Sequence, residues 1–430
     1  MTARDDLFAR MRAERDQAIR YLCSEFPDDR EYLGRARAEV RGAAIVLGSP
    51  RGGTSVFKQV LGSARGALAW PGEHRLLFTL LGLNFPDHGG LDECAETGPL
   101  DSGQREFLFD NLLFECRGPE ITEPTRREWE RYAWDWALRL RLQWPEVVDC
   151  PLESLVTIIM DVVPRKLADP DPAFGVLRAL RAAGLPLNPY YYDLPDDRVG
   201  AYFPDVELPT GPPGRTIVEI SPFLALRPTA RPRLLPSGNV LVLKASSDAY
   251  RIPLLHELFT GWDVRELHLT RNPLASVNGL INGWEHRSFW QHDLRPHGCP
   301  RPDWNFDLCE GWAELAAGGL TELAARQWSD PHRRILRHAR DPVRLRFEDF
   351  QRGGAARHAL MDQAAAAAGL SFHGRREAID WPRAVNSTSA PAPAKWLRER
   401  PELRALLALP EVEEVATQLG YHVGDADLWP

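Results

Sequence analysis

The stretch Ala44-Ile-Val-Leu-Gly48-Ser-Pro-Arg51-Gly-Gly53-Thr-Ser55-Val-Phe-Lys58-Gln-Val-Leu-Gly62 decides the fold. Ala43 to Leu47 is a short continuous apolar run closed by a glycine, the pattern of a strand buried on both faces of a parallel sheet. Beyond the glycines, Val56, Phe57, Val60 and Leu61 recur at helical spacing. The order is strand, glycine-rich loop, helix, which a phosphate loop requires. The helix start offers unpaired N–H groups and the positive end of the helix dipole. Gly52 and Gly53 allow close backbone approach to an anion, and Thr54 and Ser55 add hydroxyl donors.

The pattern departs from G-x-x-x-x-G-K-[ST] at one place. Thr54 stands where the lysine belongs, and a cation occurs three residues earlier as Arg51. A kinase or NTPase uses that lysine on the β- and γ-phosphates and a hydroxyl on magnesium. Lys58 lies a turn further on and is expected to point away along the helix. Leu155 to Asp161 (LVTIIMD) has the form of a magnesium-holding strand, but it falls in a proline-rich region and reads better as a buried segment ending in a solvated aspartate. A P-loop kinase or NTPase is therefore the weaker reading of the loop.

Working outward, Asp5 to Leu22 reads as a charged amphipathic helix. Phe109, Leu112, Leu113 and Cys116 fall at i, i+3, i+4 and i+7, and Arg126 to Leu142 is a second helical pattern. Prolines then crowd in from Pro186 to Pro213, with one expected strand at Thr216 to Ile220. Regular α/β patterning returns with a strand at Val240 to Leu243 ending in Lys244, then a helix from Ile252 with Pro253 in its first turn. A strand through Leu267 and Leu269 ends at Thr270-Arg271. Asn272 is an N-cap and Pro273 a first helical residue. Val343, Leu345 and Phe347 alternate as a strand. A last helix through Val412 to Leu419 is bounded by Pro410 and Gly420. The expected fold is α/β, a P-loop-like three-layer arrangement with a central parallel sheet flanked by helices. Residues 1–40 form an N-terminal helical segment, residues 41–83 and 238–430 the core, and residues 84–237 a helical and irregular insertion.

The chain has 430 residues, 44% of them hydrophobic, enough for a large core. A net charge of −8 argues against nucleic acid as the main partner. The six cysteines have no metal-ligand or redox spacing and read as reduced thiols. The charged N-terminus lacks a signal-peptide core, and no apolar run is long enough for a bilayer, so a soluble cytoplasmic protein without membrane partners is expected. Oligomeric state is not readable.

Gly48-Ser-Pro-Arg-Gly-Gly-Thr-Ser55 resembles the 5′-phosphosulfate loop of sulfotransferases, G-x-P-R-[SG]-G-T-[ST]. Three further segments resemble that family in its order. Leu241 to Arg251 is similar to the strand and turn entering the central helix of bacterial and Golgi-type members. Glu266 to Gly279 is similar to the 3′-phosphate segment, R-[DN]-P-x-x-x-x-x-S. Leu345-Arg-Phe-Glu-Asp-Phe350 is similar to the late RYEDL strand. The resemblance spans residues 43–83 and 238–425. It departs eight residues after Arg271, where Gly279 replaces the usual serine and Ser276 offers a hydroxyl one turn earlier.

The resemblance implies 3′-phosphoadenosine 5′-phosphosulfate as donor, held by Arg51, Gly52, Gly53, Thr54, Ser55, Arg271 and Ser276, with Ser387 and Lys395 in a loop closing over the 3′-phosphate. The acceptor is a hydroxyl, or an amine, of a small molecule or glycan. No metal is expected, because a sulfonate carries less charge than a γ-phosphoryl. Trp70-Pro-Gly-Glu73-His-Arg75 resembles the GEE-x-R segment of the tyrosyl-protein branch. That implies Glu73 as general base and Arg75 as its orienting partner, with His74 and His286 competing for the role. Trp284 and His286 lie in an aromatic cluster expected to wall the acceptor pocket, and the insertion is expected to cap it. A catalytically silent, nucleotide-binding relative remains a third reading.

Overall fold

A computed structural model describes residues 3–94, 98–163, 171–373, 381, 388 and 392–429. Its strands are β1 (Gly42–Leu47), β2 (Ala67–Ala69), β3 (Val240–Leu243), β4 (Asp263–Thr270), β5 (Trp290–Asp293), β6 (Asp303–Asn305) and β7 (Val343–Arg346). Five of them form one sheet in the order β2-β3-β1-β4-β7, and every neighbouring pair is parallel. The pair β5 and β6 is a separate antiparallel ribbon.

The apolar run at residues 43–47 sits at the centre of the sheet, between β3 and β4. Its side chains alternate between two cores. Ala43, Ile45 and Leu47 pack on one side with Leu241 and Leu243 of β3. Ala44 and Val46 pack on the other with Val240, Val242, Leu267 and Leu269. Burial on both faces explains why β1 reads as a continuous apolar run. The fold is therefore α/β, with helices over both faces of a parallel sheet.

The first face is covered by two N-terminal helices, Ala3–Glu25 and Pro27–Glu39, together with helices of residues 84–237. Arg15 ties these layers together. It is 1% exposed, donates to Asn111 at 2.9 Å and pairs with Glu115 at 2.7 Å. Residues 84–237 thus share one core with the sheet. The helices Ser102–Phe114 and Arg126–Gln143 occur where the periodicity places them, each opened by a capping box, at Asp101 and Thr125. One other expectation fails. Thr216 to Ile220 forms no strand, and its irregular backbone lines a cavity instead. The LVTIIMD segment is a helix, Leu152–Met160, capped at Asp161, so no strand delivers that aspartate to the loop.

The connection leaving β1 runs to β2 on one side and the one leaving β4 runs to β7 on the other, so the C-terminal ends of β1 and β4 flank a topological switch point, where open α/β sheets bind ligands. A cavity of about 1440 Å³ opens there, lined from the ends of β1, β3, β4 and β7.

Candidate active site

The loop after β1 turns tightly. Gly52 donates its N–H to the Ser49 carbonyl at 3.1 Å. Gly53 has φ of 90°, and a Cβ there would lie 2.4 Å from the Phe347 ring. Only glycine fits that position. The helix Thr54–Leu61 starts directly behind it, so its first N–H groups face the cavity side of the loop. Arg51 itself has φ of 61°, which turns its side chain across the loop. Its Nε donates to the Gly279 carbonyl at 3.2 Å, and its guanidinium lies 4.8 Å over the Phe289 ring. Burial, then the neighbouring Arg271, lowers its pKa to about 10, so it remains charged at neutral pH.

The lysine missing from the loop has a counterpart from elsewhere in the fold. Lys244, at the end of β3, donates to Ser55 Oγ at 3.2 Å and forms an ion pair with Glu73 Oε1. Glu73 Oε2 accepts the Ser246 N–H at 3.2 Å. Burial pushes the Glu73 carboxyl upward, but Lys244 and Ser246 outweigh it, and the net displacement is below the ordinary carboxylate range. Glu73 is therefore an ionised, half-buried carboxylate. Lys58 does not point away. It is buried, and its ammonium donates to the carbonyls of Trp70 at 2.6 Å and Gly72 at 3.1 Å. It joins the loop helix to the turn that carries Glu73. Burial, then the charge of Lys244, lowers its pKa to about 8.

Arg271 ends β4 beside the loop and donates from Nη1 to the Arg51 carbonyl at 3.0 Å. Its Nε is buried with no hydrogen-bond partner among the described residues. Its position is set by Glu348. That carboxylate accepts the Asn272 N–H at 2.7 Å and the Tyr421 hydroxyl at 3.0 Å. The segment resembling RYEDL and the tyrosine after the last helix thus brace the start of the helix Pro273–Trp284. Asn272 caps that helix, accepting the Ala275 N–H at 2.8 Å. Along it, Ala275, Asn278, Gly279 and Asn282 line the cavity.

The structure gathers Arg51, Gly53, Thr54, Ser55, Glu73, Arg75, Arg271 and Lys395 around this cavity. Gly52 lies within the same loop. Other expected site residues fall elsewhere. Ser276 is fully buried and does not line the cavity, because the helix presents positions 275, 278, 279 and 282 there. His74 is fully buried, its Nε2 3.0 Å from Asp248, so it has no access to an acceptor. Trp284 turns away to donate to Gln327 at 2.8 Å and to pack against Trp304. His286 pairs with Ser288 Oγ at 2.8 Å outside the lining; its neighbour Phe289 forms the wall instead. Arg75 reaches the lining, but Glu93 at 3.2 Å, not Glu73, takes its charge. Ser387 lies outside the described residues. Lys395 opens the short helix Lys395–Glu399 and pairs with Glu399 at 3.4 Å. Glu399 also accepts from Asn278 and Asn282, which holds this segment over the cavity. Among the described residues, no group of three or more His, Cys, Asp or Glu side chains is arranged to hold a metal ion. No described helix is long and apolar enough to cross a membrane.

Sequence reasoning undervalues Lys244, Lys58 and Phe289. Each reads locally as ordinary: a strand end, a helix surface, an aromatic in a loop. The one available signal is that Lys244 closes an apolar strand within the family-like order.

No protein-family model and no curated protein matches this chain. Solved structures do. Its structural neighbours are sulfotransferases. One is the sulfotransferase domain from the curacin biosynthetic pathway, with 12% identity and a TM-score of 0.36 over 89% of this chain and 99% of that one. Another is a sulfotransferase from Alicyclobacillus acidocaldarius, with 13% identity and a TM-score of 0.33 over 89% of this chain and 97% of that one.

Proposed function

We propose that the protein transfers a sulfonate group from 3′-phosphoadenosine 5′-phosphosulfate to a hydroxyl, or an amine, of a small molecule or glycan. One observation carries this reading. The loop resembling the phosphosulfate loop is served by Lys244 from outside it, and the same ammonium holds the Glu73 carboxylate. A positive charge and a base thus stand side by side at the mouth of an anion loop.

The residues present fit such a donor. Arg271 has an orphaned buried Nε at the cavity, and Arg51, Thr54, Ser55 and Lys244 line the same cavity. The donor supplies an activated sulfonate on a phosphate leaving group. The N–H groups at residues 53–55, with Arg51 and Lys244, hold the 5′ end and neutralise the charge that develops there. Arg271, with Lys395 nearby, holds the 3′-phosphate. Glu73 takes the proton from the acceptor oxygen or nitrogen. The wall contributed by residues 117–120, 218–222, 224 and 225 supports a role for this region in choosing the acceptor.

Titration with adenosine 3′,5′-bisphosphate, and separately with ATP and Mg²⁺, tests the reading. The bisphosphate is expected to bind more tightly, and Arg51→Ala and Arg271→Ala are each expected to weaken it by about tenfold or more. A preference for ATP overturns the proposal. Bisphosphate binding without sulfonate transfer to a panel of phenols, alcohols, amines and glycans would leave a nucleotide-binding protein and no enzyme.

A further inference from the structure

Five described residues other than glycine have φ in the left-handed region: Arg51, Phe289, Phe306, Asp341 and Ala394. Bulky side chains adopt this backbone only under constraint, and such strain gathers at functional sites. Three of the five form one stack. The Arg51 guanidinium lies 4.8 Å over the Phe289 ring. Phe289 and Phe306 stack at 5.4 Å with 26° between their planes. The three come from distant places, the loop after β1, the residue before β5 and the residue after β6. The Phe306 N–H donates to the Phe289 carbonyl at 3.2 Å, and the Phe289 N–H to the Ser221 carbonyl at 3.1 Å.

One helix, Pro273–Trp284, makes room for this stack twice. A Cβ at Gly283 would lie 2.4 Å from the Phe306 ring, and a Cβ at Gly279 would lie 3.3 Å from Arg51 Cβ. The two glycines stand four residues apart, on one helix face. Gly279 also accepts from Arg51 Nε. The glycine that stands where the serine is usual therefore lies directly against Arg51.

We propose that Phe289 and Phe306, seated against Gly279 and Gly283, are positioning residues that fix the plane of the Arg51 guanidinium at the anion loop. The proposal rests on Arg51 as an anion-holding residue. A planar fork binds a sulfonate or phosphate well only when its plane is set beforehand. The Phe289 face holds the guanidinium through the ring quadrupole, and Phe306 stacks behind it.

The test uses the Nε–Hε resonance of Arg51 in the full chain, assigned by its loss in Arg51→Lys. In the wild type it is expected upfield, under the Phe289 ring current, and slow to exchange with water. Phe306→Leu and the milder Phe306→Met are expected to move it toward the value of a free arginine. The affinity for adenosine 3′,5′-bisphosphate is expected to fall about tenfold in Phe306→Leu and by less in Phe306→Met. A wild-type resonance with the shift and exchange of free arginine overturns the proposal. So does a resonance unchanged in both Phe306 variants when circular dichroism shows them folded. A resonance that moves without loss of bisphosphate affinity supports the column and counts against the nucleotide reading of Arg51.

Discussion

Glu73 and the two lysines near it are the residues on which the proposed chemistry turns. Lys244 holds the Glu73 carboxyl below its ordinary value of 4.5 although burial opposes it. A base must be unprotonated, so the acid limb of kcat/KM for sulfonate transfer is expected below pH 4.5 in the wild type. Lys244→Met leaves burial opposed by the Ser246 N–H alone and is expected to carry that limb upward from the wild-type position; a pH–rate profile shows the direction. Glu73→Gln, which cannot take the proton, is expected to lower kcat by about 10² to 10⁴ while the protein still binds adenosine 3′,5′-bisphosphate. Lys58 makes the opposite kind of prediction. Its pKa is about 8 in the folded chain against an ordinary 10.5. Between those values the unfolded chain keeps a proton that the folded chain has released, so this site adds stability as pH rises. The difference in unfolding free energy between wild type and Lys58→Met is expected to increase from pH 8 to 10.5 in urea titrations. At this scale the sequence shows Arg51 and Glu73 by motif. It does not show that Lys58 bends back to the carbonyls of residues 70 and 72, because side-chain direction along a helix depends on what packs beside it.

Among the elements, β1, its loop and the following helix are legible because three independent local signals coincide there. Gly53 is the hinge of that unit. Gly53→Ala combines a strained φ of 90° with a contact 2.4 Å from the Phe347 ring, and is expected to cost about 1–3 kcal/mol in unfolding experiments and to abolish bisphosphate binding. The helix Pro273–Trp284 is equally legible at its start, where Asn272 and Pro273 give the cap and first turn. Which of its faces meets the ligand is not legible. Ser276 and Gly279 are one turn apart, yet only Gly279 reaches the cavity. The brace from Glu348 to Tyr421 also needs the fold, since the two residues stand 73 positions apart. Tyr421→Phe removes a donor from a buried carboxylate and is expected to cost about 1–3 kcal/mol, measured by chemical denaturation.

At the scale of the molecule, residues 84–237 belong to the core that covers one face of the sheet. Deleting them would uncover Ala43, Ile45, Leu47, Leu241 and Leu243, so a chain without this segment is expected to lose cooperative unfolding by circular dichroism. Apolar periodicity locates helices there but does not say what they cover, and the proline-rich part has no period to read. The sequence by itself determined the strand–loop–helix unit, the α/β class and the cations Arg51 and Arg271, because backbone propensity, glycine geometry and short-range patterning are local. Only the tertiary structure decided that Lys244 supplies the loop's second cation, that His74 and Ser276 are buried away from the cavity, and that Phe289 lies beneath Arg51. Those facts depend on which strand ends meet at the switch point and which side chains the packing turns inward, and contacts between residues about 200 positions apart leave no local trace.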